Sequence, residues 1–242
     1  MPAFTTPGPI AATVEVAGAQ VRVGASNRTD TVVLVEPINK ASQSDLKVAE
    51  KTKVDFADGH LTVKTTRSGD KNGSVAITID LPAGSSLAAS LAHSSVHADG
   101  PLGDCELHMS SGQVQLDRIN ALQANVAAGE VAVGHISGPA TIEGASGSFD
   151  IDRADGNVIA TTASGPIRIR RLTRGQAELV TGSGNIEVGI SQSSAARVDA
   201  NSERGSVRNS VPAQDNPGAS DDKLTVRART RHGDIFIQSA GR

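Results

Sequence analysis

The sequence predicts an all-β protein: a parallel β-solenoid (a single-stranded β-helix or β-roll) of about 18 residues per coil, with an N-terminal antiparallel β cap. Three observations predict it. One pattern is written eight times between Leu87 and Ile237: a Gly or Ser, then apolar residues two and usually four places on, with apolar or small residues seven, five and three places back. The origins Ser94, Gly112, Gly129, Gly147, Gly165, Gly184, Gly205 and Gly233 lie 18, 17, 18, 18, 19, 21 and 28 residues apart. Period-two alternation gives a strand with one buried face, and no single unit can bury that face alone, so the units must stack.

Around Gly129 the slots hold Leu122, Ala124 and Val126, then Val131 and Val133. Around Gly147 they hold Ala140, Ile142 and Gly144, then Phe149 and Ile151. Two strands per coil follow, and Ile119, Ile136, Ala154 and Leu172, seven after their origins, fill the corner between them. Gly138, Gly156 and Gly175 are placed for a second turn, where positive φ suits glycine. The pattern weakens at Gly205, which keeps only Val198, Ala200 and Val207. Strands of successive coils run parallel, and parallel crossovers favour a right-handed wind. A left-handed hexapeptide helix also has about 18 residues per coil, but one apolar residue every sixth place does not match these paired slots.

Upstream of Gly84 the 18-residue period is absent. Residues 1–10, with three prolines, are expected to be a disordered tail. Val14 and Val16, then Val21 and Val23 about Gly18, suggest a hairpin. Thr31 to Glu36 is a strand stopped by Pro37, and Ser44 to Lys51 a short helix with Ser44 as N-cap. Val54 and Phe56, the turn Asp58-Gly59, then Leu61 and Val63 make a second hairpin. Val75, Ile77 and Ile79 form a last strand. Short turns between these strands predict antiparallel pairing, so residues 11–83 are expected to cap the first coil. Residues 84–242 form the solenoid, with a surface loop at 210–222 that accounts for the 28-residue interval.

Composition narrows function. Net charge −3 with 20% charged residues offers no field for nucleic acid. Four Phe with no Trp and no Tyr disfavour a stacking groove for glycans or bases. The single Cys105 falls in an inward slot and reads as a core residue; it has no partner for an internal disulfide, which fits a reducing compartment. No signal-peptide pattern or membrane-length apolar run is present, so a soluble cytoplasmic protein is expected.

The outward slots carry charge. Asp150 and Asp152 should meet Arg168 and Arg170 on the next coil, and Arg168 should meet Glu187, with Arg208 next in the same row. Arginine neighbours suit a ladder of ion pairs better than the acid/base carboxylates of a glycosidase. Arg168, Arg170, Arg171 and Arg174 form the densest basic cluster and are the candidate interaction face. His93, His97 and His108 lack the carboxylate or Cys that a ligand spacing needs, so no metal is expected. Gly182-Ser183-Gly184 precedes no Lys-Ser/Thr and is a repeat turn, not a phosphate loop. Catalytic residues and cofactors are not expected.

Asp45-Leu-Lys-Val-Ala-Glu-Lys-Thr-Lys-Val-Asp-Phe-Ala-Asp-Gly-His-Leu-Thr-Val-Lys, Ile79-Asp-Leu-Pro-Ala-Gly-Ser and Val226-Arg-Ala-Arg-Thr-Arg-His-Gly-Asp-Ile together carry a resemblance. Over almost its whole length the chain resembles the bacterial β-strand-repeat family of unknown function named "putative adhesin", in its actinobacterial form. The resemblance implies a β-helical domain with an antiparallel cap and carries no catalytic residues. The expected function is a non-enzymatic scaffold, an adhesin-like interaction module with a protein partner. Apolar outward residues such as Ile159 and Val180 could seed the contact. Alternatives are a polymer stacking through solenoid ends, with the coil of Asp234-Ile-Phe-Ile-Gln as the open end, and a polysaccharide-cleaving β-helix enzyme.

Overall fold

Alternating apolar residues bury one face of nearly every strand in the computed structural model, which describes residues 2–65, 73–192, 194–211 and 222–240. The chain forms two compact units, Met1–Asn120 and Ala121–Arg242.

The first unit runs β1 (Ala3–Thr5), β2 (Ala11–Ala17), β3 (Ala19–Ser26), β4 (Asp30–Pro37), α1 (Gln43–Lys51), β5 (Lys53–Ala57), β6 (His60–Lys64), β7 (Val75–Pro82), β8 (Ser86–Pro101) and β9 (Cys105–Ile119). Strands β8 and β9 are each a whole coil, stacked parallel with Leu87 on Cys105 and Val96 on Val114. On the other side of β8 lie β2 and β3, also parallel, with Val14 on Ala89 and Val21 on Val96. Beyond them come β6 and β7, with Val14 on Val63 and Val21 on Ile77. The stacking order is therefore β6–β7, β2–β3, β8, β9.

This corrects the expected hairpin at Gly18 and the antiparallel pairing expected throughout 11–83. Among the described residues β2 and β3 do not pair with each other, because each is sandwiched between two coils that bury Val14, Val21 and Val23. No 18-residue period shows here because the segment from Asn27 to Gly59 separates coils that touch in space. Among the described residues antiparallel pairing is confined to β4 on β7, β1 on β4 and β5 on β6. The β5–β6 hairpin forms as expected, with Asp58 and Gly59 at φ 50° and 76°, as a two-residue type I′ turn requires.

Residues 3–5, expected in a loose tail, are strand β1. Phe4 stacks on Phe56 with ring centroids 4.8 Å apart, and Thr6 N–H donates to Thr29 O at 2.9 Å, so the prolines do not free the segment. The cap of helix α1 lies two residues earlier than expected: Ser42, not Ser44, caps it, its hydroxyl accepting from Asp45 N–H at 3.3 Å. Asp45 itself accepts N–H bonds from Asn39 and Ser74, which ties the helix to β4 and β7 and holds its carboxyl below the usual range.

The second unit runs β10 (Leu122–Ile136), β11 (Ala140–Ala154), β12 (Val158–Ser164), β13 (Ile167–Leu172), β14 (Gly175–Ser183), β15 (Ile186–Ile190), β16 (Ser194–Arg204), β17 (Val207–Asn209), β18 (Asp222–His232) and β19 (Ile235–Ser239). Val131, Phe149, Ile167 and Ile186 stack in one row, parallel and in register. The next residue in that row is Ile235, and only then Val207. Hence β18–β19, last in the chain, lies between β14–β15 and the outermost coil, β16–β17. The coil of Asp234 to Gln238 is thus not an open end, contrary to expectation. Of the loop expected at 210–222, residues 212–221 lie outside the described residues.

Two local features make the stack possible. Gly165 has φ +126°, and a Cβ there would run into the carbonyl of Gly147 on the neighbouring coil, so the turn tolerates only glycine. At the second turn only Gly175 has positive φ; Gly156 is needed for space, since a Cβ would meet the Gly138 carbonyl. The corner residues Ile136, Ala154 and Leu172 are fully buried, as the slot pattern predicts.

Candidate functional site

The outward rows of the second unit present two different surfaces. On the β13 side the row is Ala132, Asp150, Arg168, Glu187, Phe236 and Arg208. Arg168 Nε and Nη2 donate to the two Glu187 carboxylate oxygens at 2.8 and 3.2 Å, which raises the guanidinium above its ordinary value. Its Nη1 is 3.7 Å from Asp150. Arg170 Nη2 donates to Asp150 at 3.1 Å, and its Nε lies 3.2 Å from Asp152. Arg174 Nε donates to the carbonyl of Asp155 at 2.8 Å, while Arg171 stacks in register on Arg153. Arg168, Arg170 and Arg171 lie on the one strand β13 and Arg174 in the turn that follows it, and Arg168, Arg170 and Arg174 bind carboxylates and a carbonyl of the neighbouring coils. Exposed pairs of this kind contribute roughly 0–1 kcal/mol each.

Arg208 is not beside Glu187, as the sequence order suggested. Phe236 intervenes, and the Arg208 guanidinium sits 5.7 Å from its ring centroid. Asp150 Oδ1 is buried and, among the described residues, has no hydrogen-bond partner.

Asp155 organises the corner below this row. Its side chain is 14% exposed, and burial alone would raise its pKa. Hydrogen bonds from Arg153 Nε, from His135 Nε2 at 2.8 Å and from Thr173 Oγ1 at 2.8 Å outweigh that and hold it at about 2. A carboxylate locked in this way fastens three coils together and is a poor general acid.

The other surface, formed by β10, β11, β12 and β14, is less densely charged. Gln123, Thr141, Ile159 and Glu178 form one row, and Asn125, Glu143, Thr161 and Val180 the next. Ile159 is 47% exposed.

Sequence reasoning missed the basic strand β18, where Arg227, Arg229 and Arg231 all point outward at period two. Arg227 lies 4.0 Å from Glu178 and 3.9 Å from Asp199, and Arg229 donates to Asp199 at 2.6 Å. The alternation Arg-Ala-Arg-Thr-Arg was the available signal, but its partners lie on coils far away in sequence.

The histidines are scattered by local bonds in the first unit. His93 Nδ1 is 2.7 Å from Ser111 Oγ, His97 is 2.9 Å from Asp99, and His108 is 3.0 Å from Glu106. Among the described residues no group of three or more His, Cys, Asp or Glu side chains gathers to hold a metal. Burial, aided by Asp104, pushes the Cys105 thiol up to about 12, so it is not an activated nucleophile.

The sequence profile of the Toastrack family, DUF4097, matches residues 12–238. The chain belongs to the Toastrack family. Two solved structures resemble this Toastrack chain. One, described as a "putative adhesin" from Bacteroides fragilis, is 13% identical, with TM-score 0.57 over 98% of this chain and 95% of that one. The other, with the same description, from Parabacteroides distasonis, is 13% identical, with TM-score 0.56 over 97% and 95%. Likeness at this identity is likeness of fold. It does not support the actinobacterial form expected for the Toastrack chain, since both relatives come from other bacteria. No curated protein matches the Toastrack chain. No helix among its described residues is long and apolar enough to cross a membrane.

Proposed function

We propose that the chain is a non-enzymatic binding module whose protein partner docks on the strand face around Ile159. The exposure of Ile159 carries this reading: a large apolar side chain stands 47% exposed between Thr141 and Glu178, with Thr161 and Val180 in the next row. A partner centred there strips water from fewer ion pairs than one on the arginine row, since only the Glu178–Arg227 pair borders it. The face with Arg168, Arg170, Arg171 and Arg174 is the competing site, and Arg168, Arg170 and Arg174 are already bound to groups of the stack. The fold shared with two proteins described as adhesins supports a binding role. The solenoid winds right-handed by the crossover rule, β1, β4, β5 and α1 cover the end coil β6–β7 of the first unit, and the protein works in the cytoplasm.

The test is capture of partners from native cells on immobilised full-length chain, comparing Ile159→Asp with the Arg168→Ala, Arg170→Ala double variant. Loss of the same partner with Ile159→Asp alone is expected. Loss with the arginine variant alone moves the site to the basic face. Turnover of a uronate polymer would overturn the non-enzymatic reading.

Self-association through a coil end is a second reading, favoured by the open edge of β16.

A further inference from the structure

We propose that β16 pairs antiparallel with β16 of a second copy of this chain, about a two-fold axis through Ala200, closing a dimer. The inference narrows the self-association reading to one strand and one symmetry, and it is independent of the face around Ile159.

The edge is the first observation. β16 is eleven residues long and, among the described residues, pairs only with β18. A long strand with one unpaired edge is a template for another strand. The edge strands of the first unit are short by contrast, three residues in β1 and five in β5, and Phe4 stacks on Phe56 there.

The second observation is an unfinished core. Ala196, Val198, Ala200 and Ser202 occupy inward slots but are only half-buried, whereas their register partners Leu224, Val226, Ala228 and Thr230 are buried. Val207, on the other strand of the same coil, is 43% exposed. Something that continues the stack would complete this layer.

Charge identifies the occupant. The outward residues of β16 are Arg197, Asp199, Asn201 and Glu203. Asp199 is held by Arg229 and Arg227 and only attracted at longer range by Arg197, and among the described residues no direct ion pair involves Arg197 or Glu203. A two-fold pairing must keep inward slots inward, which leaves few registers. Centring on Asp199 sets that carboxylate against its own copy, and centring on Asn201 sets Asp199 against Glu203. Centring on Val198 sets Arg197 against an Asp199 already in use. Centring on Ala200 sets Arg197 against Glu203 twice, Asp199 against Asn201, and Val198 against Ser202. That register pairs the two charges that make no direct ion pair and creates no like-charge contact. An isologous contact of this kind closes at two copies and does not propagate.

Sedimentation velocity on the full-length chain over a concentration series tests the proposal. A monomer–dimer equilibrium is expected. Arg197→Glu and Glu203→Arg each turn two attractive pairs repulsive and should raise the dissociation constant about tenfold or more. Combining them in one chain should restore the dimer, and mixing the two single variants should restore it as a one-to-one heterodimer. Circular dichroism melting shows that each variant is folded. Ile159→Asp should leave the dimer intact. A monomer at every concentration, filaments, or a dimer indifferent to the charge swaps would each overturn the proposal.

Discussion

Phe149 has the largest of the fully buried side chains, and it fits because Gly144, in the inward slot held by Val126, Thr162 and Thr181 on other coils, has no side chain. A Cβ at Gly144 would come within 2.7 Å of the Phe149 ring. Gly144→Val should therefore destabilise by about 1–3 kcal/mol through overpacking, and Phe149→Ala by about 3–5 kcal/mol through a cavity. In urea unfolding the double variant should cost less than the sum, because valine fills space the ring vacated; strictly additive costs would show that the two do not share a volume. The same slot holds polar residues whose work is invisible in the alternation. Thr181, Thr230 and Ser202 stack in register, and their hydroxyls donate to the turn carbonyls of Gly165, Gly184 and Gly233 at 3.0, 3.0 and 2.8 Å. A buried carbonyl that glycine packing leaves without another donor is satisfied in this way.

A single coil is stitched to its neighbours by main-chain bonds and at its corner by Asp155, whose carboxylate contributes to the acid response of the stack together with those of Asp199 and Asp234. The folded pKa of about 2 lies below the ordinary 3.8, so this contribution is complete above about pH 4 and is lost as pH falls toward 2. Asp155→Asn should lower stability at neutral pH by about 2 kcal/mol and flatten the loss of melting temperature between about pH 4 and pH 2. An unchanged acid limb would place the titrating group elsewhere. At the level of the strand, the arginine ladder was legible because Asp150, Asp152, Arg168 and Arg170 sit on coils consecutive in sequence. The ladder through Arg227 was not, since Glu178, Arg227 and Asp199 meet only after the chain doubles back.

In each unit the coil order departs from the chain order at one end. β2–β3 sits inside β6–β7, and β18–β19 sits inside β16–β17. In the second unit two terms favour the inversion. Stacking in chain order would put Glu178 against Asp199, whereas β18 places Arg227 between them. The strongly apolar coil with Val226, Ala228, Ile235 and Ile237 also takes the buried position, leaving the weak coil of Val198 and Val207 outside. A chain ending at Val211 should therefore lose cooperative unfolding in calorimetry, because its cut removes an interior layer. A sharp transition with a small drop in Tm would mean that the last coil is peripheral.

Slot spacing alone determined that this protein is built of stacked coils of about 18 residues, which residues face inward, and where the turns need glycine, because these depend on side-chain alternation within one coil. It was silent about which coil rests on which at the ends of the chain, where β1 goes, and which strand edge stays open. Those were decided by tertiary structure: parallel backbone pairing accepts any coil of matching length, so burial of apolar layers and cancellation of charge between coils distant in sequence select the neighbour.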